Sequence, residues 1–217
     1  VSFSFWFATA VMLASTVFFV MERNDVSAKW KTSLSVATLV TGIAFWHYLY
    51  MSKMFLTGNG SPLALRYVDW LITVPLQIVE FYLILAAVTV VSRSLFWQLL
   101  GASLVMLLGG FVGEACDGWA MPGFIVGMAG WLYVLYLIFM GEASNINSSS
   151  GNEASQKAFN ALRFIVLIGW SIYPIGYYVN MSGDAVNTTN IIYNFADLIN
   201  KAAFGLFIWA AAKSDKK

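Results

Sequence analysis

The sequence predicts an all-α membrane protein, a seven-transmembrane-helix bundle formed as one domain by residues 1–217. Three observations carry that expectation. Hydrophobic residues make up 59% of the chain and charged ones only 11%, where a soluble domain averages about 25% charged, and the mean hydropathy is +0.72. Seven apolar stretches recur, each about the 20 residues needed to cross a hydrocarbon core roughly 30 Å thick. The cations, finally, gather at one set of span ends, as membrane topology requires.

The first span, Val1–Met21, is uncharged and stops at the polar ERND. No charged segment precedes it, the pattern of a chain whose signal peptide is absent or removed. The second, Ser27–Met51, carries the only histidine, His47. The third, Pro62–Val91, holds Arg66, Asp69 and Glu80, together with Pro75, a kink that membrane helices tolerate. The fourth and fifth, Ser94–Gly113 and Met121–Gly141, are uncharged; Gly109/Gly113 and Gly123/Gly127 are small-residue pairs suited to close helix contact, within or between protomers. The sixth, Ala158–Asn180, contains Pro174, and the seventh, Thr189–Ala212, holds Asp197 and Lys201. The Ser/Asn/Gly-rich connection between the fifth and sixth reads as a flexible linker. Such long aliphatic runs exclude a β-barrel, whose strands alternate with period two.

Lys and Arg counts orient the bundle. With the N-terminus outside, the inner ends carry Arg23, Lys29, Lys31, Arg93, Lys157, Arg163, Lys213, Lys216 and Lys217, and the outer ends only Lys53. The prediction is therefore N-terminus outside, C-terminus cytoplasmic. A net charge of +1 offers no basic surface for nucleic acid, and one cysteine (Cys116) with one histidine leaves no metal-ligating cluster.

Ionisable groups at membrane depth cost several kcal/mol each and are functional candidates by default. In the third span Arg66, Asp69, Thr73, Gln77 and Glu80 form one polar stripe on an otherwise apolar helix, which must face the bundle interior. In the seventh, Asp197 and Lys201 stand at i and i+4, on one face. At 1.5 Å per residue, Asp69 lies roughly 10 Å deep, Lys201 roughly 18 Å and Glu80 roughly 27 Å from the outer end. The lysine thus sits between two carboxyls, with Asp197 beside Asp69 on its outer side. Asp69, with Lys201 and Arg66 for company, is expected to stay ionised, and Glu80, with no cation near it, to hold its proton. A structural ion-pair network and a proton path both fit these residues; the isolated inner carboxyl favours the path. Glu114, Asp117 and Asp184 fall in outer connections and read as solvated loop charges.

At these residues the chain resembles the microbial rhodopsins, and within them the proteorhodopsins. RYVDWLITVPLQIVEFYLIL (Arg66 to Leu85) is similar to the family's counterion helix, and YNFADLINKAAFG (Tyr193 to Gly205) to its retinal-binding helix. GWSIYPIGY (Gly169 to Tyr177) resembles the retinal clamp, and the HYLYM that follows Trp46 the helix-B histidine. The resemblance implies all-trans retinal joined to Lys201 as a protonated Schiff base. It further implies Asp69 as counterion and proton acceptor, assisted by Arg66 and tuned by His47, with Asp197 as second counterion. Asp69, Thr73 and Glu80 then form the proton-pump triplet, Glu80 being the cytoplasmic donor. Trp70, Trp131, Trp170, Tyr173 and Tyr193 are expected to line the retinal slot, and Gln77 marks a blue-absorbing member. The function implied is a light-driven outward proton pump, a transporter rather than an enzyme, in the inner membrane of a prokaryote. Its partners are the proton, the lipid bilayer and other copies of itself, in a ring of five or six. A slow-cycling photosensory rhodopsin and a seven-helix transporter without retinal are the alternatives.

Overall fold

The computed structural model describes residues 1–58 and 62–215. Asn59–Ser61, in the connection after the second span, and Lys216 and Lys217, two of the predicted inner cations, lie outside the described residues. Among the described residues the chain is helical throughout, with no strand, and seven helices are long and apolar enough to span a bilayer. They are α1 (Ser2–Asp25), α2 (Ala28–Leu56), α3 (Leu63–Ala86), α4 (Arg93–Ala115), α5 (Ala120–Ser149), α6 (Glu153–Val179) and α7 (Val186–Ser214).

Consecutive helices pack against each other from α1 to α5, α6 packs on α7, and α7 returns to α1 and α2, closing the ring. With lipid tails as apolar as leucine, close packing and not burial from water holds such helices together. The α4–α5 contact shows it: a Cβ on Gly109 would come 2.8 Å from the Gly127 backbone nitrogen. The glycine pairs seen in the sequence therefore work within the bundle. At the end of the bundle where α7 finishes, Lys213 pairs with Glu22 at 2.6 Å and Lys29 with Asp215 at 2.6 Å. Trp209 and Trp30 donate to the same two carboxylates, tying α7 to α1 and α2.

Three boundaries differ from the sequence reading by five residues. The second helix continues to Leu56, past the expected Met51. The third helix ends at Ala86, not Val91: four β-branched residues in a row, Val88, Thr89, Val90 and Val91, disfavour helix, and Ser92 then caps α4 by accepting from the Leu95 N–H. The connection between the fifth and sixth spans is not a flexible linker. Glu142–Ser149 is helical, and α6 begins at Glu153, five residues before the expected Ala158. Its polar side chains satisfy the helix ends instead of leaving them to water: Asn152 accepts from the Ser155 N–H, Gln156 donates to the Asn147 carbonyl, and Ser155 donates to the Ile84 carbonyl of α3.

Two helices depart from α geometry in mid-membrane. α6 widens to a π-helix at Ile165–Gly169 and α7 at Leu198–Ala203. Each π-turn frees a carbonyl from the α ladder, and such turns concentrate at functional sites. Asn200 joins the two, its side chain donating to the Gly169 carbonyl at 2.9 Å. The Asn200 carbonyl itself accepts from Gln77 of α3 at 2.7 Å.

Candidate functional site

Lys201 sits inside the π-turn of α7 and is 1% exposed. Its Nζ donates to Asp69 Oδ2 of α3 and, at 3.1 Å, to Asp197 Oδ2 one turn earlier on α7. Both carboxylates are fully buried. Taking such groups out of water costs several kcal/mol per ion and is offset only by close pairing with further hydrogen bonds. Asp197 is so supplied: Tyr48 (2.8 Å), Trp70 (3.1 Å) and Tyr173 (2.7 Å) all donate to it. Asp69 is not: its Oδ1 accepts no hydrogen bond, and His47 Nδ1, 3.5 Å away, lies closer to the Ile43 carbonyl at 3.0 Å.

Arg66 completes the charge balance, two cations against two anions, but not beside Asp69 as the stripe implied. It donates to Tyr48 (3.2 Å), Asn190 (3.2 Å) and Asn194 (2.7 Å), and the carboxylate it approaches is Asp197, at 4.0 Å. Asn190 and Asn194 precede Asp197 by seven and three residues on the same face of α7. That spacing, and Tyr48 directly after His47, were the signals available in the sequence for these unpredicted partners. Thr73 is buried beside the cluster, its hydroxyl bonded to the Asp69 backbone carbonyl at 3.0 Å and not to the carboxylate.

Glu80 stands apart. It is fully buried and neither carboxyl oxygen makes a hydrogen bond; Ser33 of α2 is the polar side chain facing it. Glu114 reverses the sequence reading. It lies on α4, half-buried, and accepts from Tyr67 (2.6 Å) and Tyr193 (3.1 Å), so it is no solvated loop charge.

Alongside the ion cluster a cavity encloses about 660 Å³ of space free of protein atoms, its open mouth included. Trp70, Trp131, Trp170, Tyr173 and Tyr193, the five aromatics predicted for the slot, all line it, with Pro174, Val74 and Met128 among their neighbours. Gln77 and Lys201 are not in this wall. Lys201 is one layer behind it, since the wall residues Trp70 and Tyr173 donate to Asp197, which pairs with Lys201. Chemically, the arrangement offers an amine able to bond covalently to a carbonyl compound, an apolar aromatic slot beside it, and an unfilled acceptor on Asp69.

The comparisons agree with this geometry. The profile of the bacteriorhodopsin-like protein family matches residues 1–214. A blue-light absorbing proteorhodopsin from Gamma-proteobacterium Hot 75m4 is 55% identical over 98% of this chain and 86% of its own. The crystal structure of a blue light-absorbing proteorhodopsin from Med12 superposes with a TM-score of 0.88 at 58% identity, covering 99% and 98% of the two chains. That of xanthorhodopsin, described as a light-driven ion pump with dual chromophore, superposes at 0.83 with 28% identity, covering 99% and 92%. With its seven spanning helices and bacterial relatives, this is a multi-pass protein of a prokaryotic cell membrane. The chain belongs to the bacteriorhodopsin-like family and is similar, over nearly its whole length, to proteorhodopsins.

Proposed function

We propose that this chain is a light-driven outward proton pump that carries all-trans retinal on Lys201, residues 1–217 forming one retinal-binding domain. The observation that carries the proposal is the unequal supply of hydrogen bonds around one buried amine: Asp197 is saturated, Asp69 keeps a free oxygen, and Glu80 stands unbonded elsewhere. The residues fit the group. The aromatic cavity suits an elongated apolar polyene, and Asp69 with Asp197 supplies the counter-charge for a cationic nitrogen.

When bound, retinal supplies light absorption and an isomerisation that displaces the proton at Lys201 Nζ relative to its partners. The rest is the work of side chains. Asp197, its lone pairs taken by four donors, stays an anion and holds the site's negative charge. Asp69 takes the proton from Nζ, having an oxygen free to carry it. Arg66, bound to Tyr48, Asn190 and Asn194, forms the next polar layer. Glu80, with neither carboxyl oxygen hydrogen-bonded and no cation paired with it to stabilise a charge, holds a proton ready to return to Nζ. His47, within 3.5 Å of Asp69, adjusts that acceptor. Gln77 places its amide dipole on the Asn200 carbonyl, next in chain to Lys201, and favours blue absorption.

With the N-terminus outside, acceptor and donor fall on the sides that outward transport needs. The lipid bilayer is the chain's solvent, and further copies, in a ring of five or six, are its protein partners. Light-induced acidification of a suspension of cells making the chain with added retinal tests the proposal, with a protonophore as control. Acidification abolished by protonophore is expected; a pigmented suspension that never acidifies overturns pumping in favour of the photosensory alternative.

A further inference from the structure

Helix α4 contributes two residues to the Tyr67 side of the site, Gly110 and Glu114, and neither is used by the proton path above. At Gly110, a Cβ would lie 2.9 Å from the Tyr67 hydroxyl, so only glycine lets that ring stand where it does. One turn further on, Glu114 accepts from the same hydroxyl at 2.6 Å and from the Tyr193 hydroxyl at 3.1 Å. One position makes room for a tyrosine, the other holds its tip. Tyr67 and Tyr193 in turn flank the Trp70 indole edge-on, with ring centroids 4.9 and 5.2 Å away at 71° and 77°. All three rings line the cavity and are 5% exposed or less. The indole N–H donates to Asp197.

We propose that Glu114 is a positioning residue for the chromophore cavity: by bridging Tyr67 and Tyr193 it clamps Trp70 between the cavity and the Asp197–Lys201 pair. One carboxylate thereby ties three helices, α3, α4 and α7, into the wall next to the reactive nitrogen. The spectroscopic part of this inference rests on retinal occupying that cavity; the bridge itself does not. Losing two hydrogen bonds, each about 1 kcal/mol net, is roughly tenfold or more in the equilibrium between the clamped and the released wall.

The test is a mutant cycle of Glu114→Ala, the double variant Tyr67→Phe/Tyr193→Phe, and the triple variant. Two readouts apply: the absorption maximum and dark bleaching rate in hydroxylamine of pigment formed with all-trans retinal, and the near-UV circular dichroism of the retinal-free protein. Glu114→Ala and the double variant are each expected to shift the band and to speed bleaching roughly tenfold. The triple variant should add nothing further, because the carboxylate acts only through the two hydroxyls. Glu114→Gln, which keeps an acceptor for one tyrosine, should fall between wild type and Glu114→Ala. Wild-type behaviour of Glu114→Ala, or additive effects in the triple variant, would overturn the proposal. If wild-type protein forms no pigment, the retinal assignment fails while the circular dichroism cycle still decides the bridge.

Discussion

Replacing Asp197 by asparagine removes one charge and almost no volume, and the structure states which groups suffer. Four donors converge on the carboxylate: Tyr173 and Trp70 on Oδ1, Tyr48 and Lys201 on Oδ2. An amide offers one accepting oxygen and one donating nitrogen. The tyrosine hydroxyls can rotate and accept from that nitrogen; the indole N–H and the ammonium cannot. Either orientation of the amide therefore strands a donor-only group, and the milder choice turns the oxygen to Lys201 and the nitrogen to Trp70. An orphaned buried donor costs about 1–3 kcal/mol. Arg66 meanwhile loses the carboxylate it approaches and Lys201 keeps Asp69 alone, and removing a partner from a buried ion cluster costs about 3–5 kcal/mol. The two costs overlap, so a total loss of about 3–5 kcal/mol is expected. Thermal unfolding of the retinal-free protein in lipid nanodiscs measures it, since the amine is then in the state described here. A loss within about 0.5 kcal/mol, the range of an ordinary surface substitution, would refute the view that Asp197 is the hub of the cluster.

Lys201→Ala should leave protein that inserts in the membrane yet forms no visible band with all-trans retinal; colour would break the assigned linkage. Glu80→Gln should keep the band and slow recovery of the proton at Nζ by about 100-fold or more, the scale of a lost general acid; an unaltered photocycle by flash photolysis removes it as donor. Gln77→Leu should shift absorption to longer wavelength and, by freeing the Asn200 carbonyl, cost about 1 kcal/mol of stability; an unshifted spectrum counts against the tuning role. Just past the end of α7, burial pushes the Asp215 carboxyl up, but hydrogen bonds from Lys29 and Trp30 outweigh it and hold the group below its usual 3.8. A depressed carboxylate stabilises above the unfolded value and loses that contribution as pH falls through the folded one. The melting-temperature gap between wild type and Asp215→Asn should therefore be present at neutral pH and close in acid; a gap independent of pH would exclude the ion pair as its cause.

Much of this site was legible because the bilayer magnifies polar signals: a carboxylate or an amine in an apolar run has few structural excuses, so Asp69, Glu80, Asp197 and Lys201 stood out at once. Depth along the helix was legible too, since a rise per residue needs no tertiary knowledge. Direction around the helix was less so. The stripe on α3 correctly faced inward, yet Arg66 turned to Asn190, Asn194 and Tyr48 rather than to Asp69, because a long guanidinium goes where acceptors already lie. The π-turns at Ile165–Gly169 and Leu198–Ala203 leave no mark in composition; they are stabilised by contacts such as Gln77 to the Asn200 carbonyl, which join residues far apart in sequence. Glu114 was misread for a related reason. It stands at the end of an apolar run, where a loop is the simplest expectation, and only the tyrosines of two other helices reveal it as buried.

What gives proton movement a direction, on this reading, is a difference in polarity between the two halves of the bundle. On the Arg66 side of Lys201 the interior is polar: Arg66 donates to Asn190, Asn194 and Tyr48, and a smaller cavity lined by Arg66, Glu114, Asn190 and Thr189 continues beyond them. On the Glu80 side the interior is filled by aromatic packing, with Phe81 set edge-on against Phe159 and Phe204, all of them buried. A proton released to Asp69 thus has a polar region ahead of it, while Nζ is refilled from a carboxyl on the side packed with aromatic rings. Glu80 is the carboxyl there, facing the Ser33 hydroxyl and, among the described residues, no cation: a cation beside it would stabilise the anion, and an anion at that depth has no proton to give.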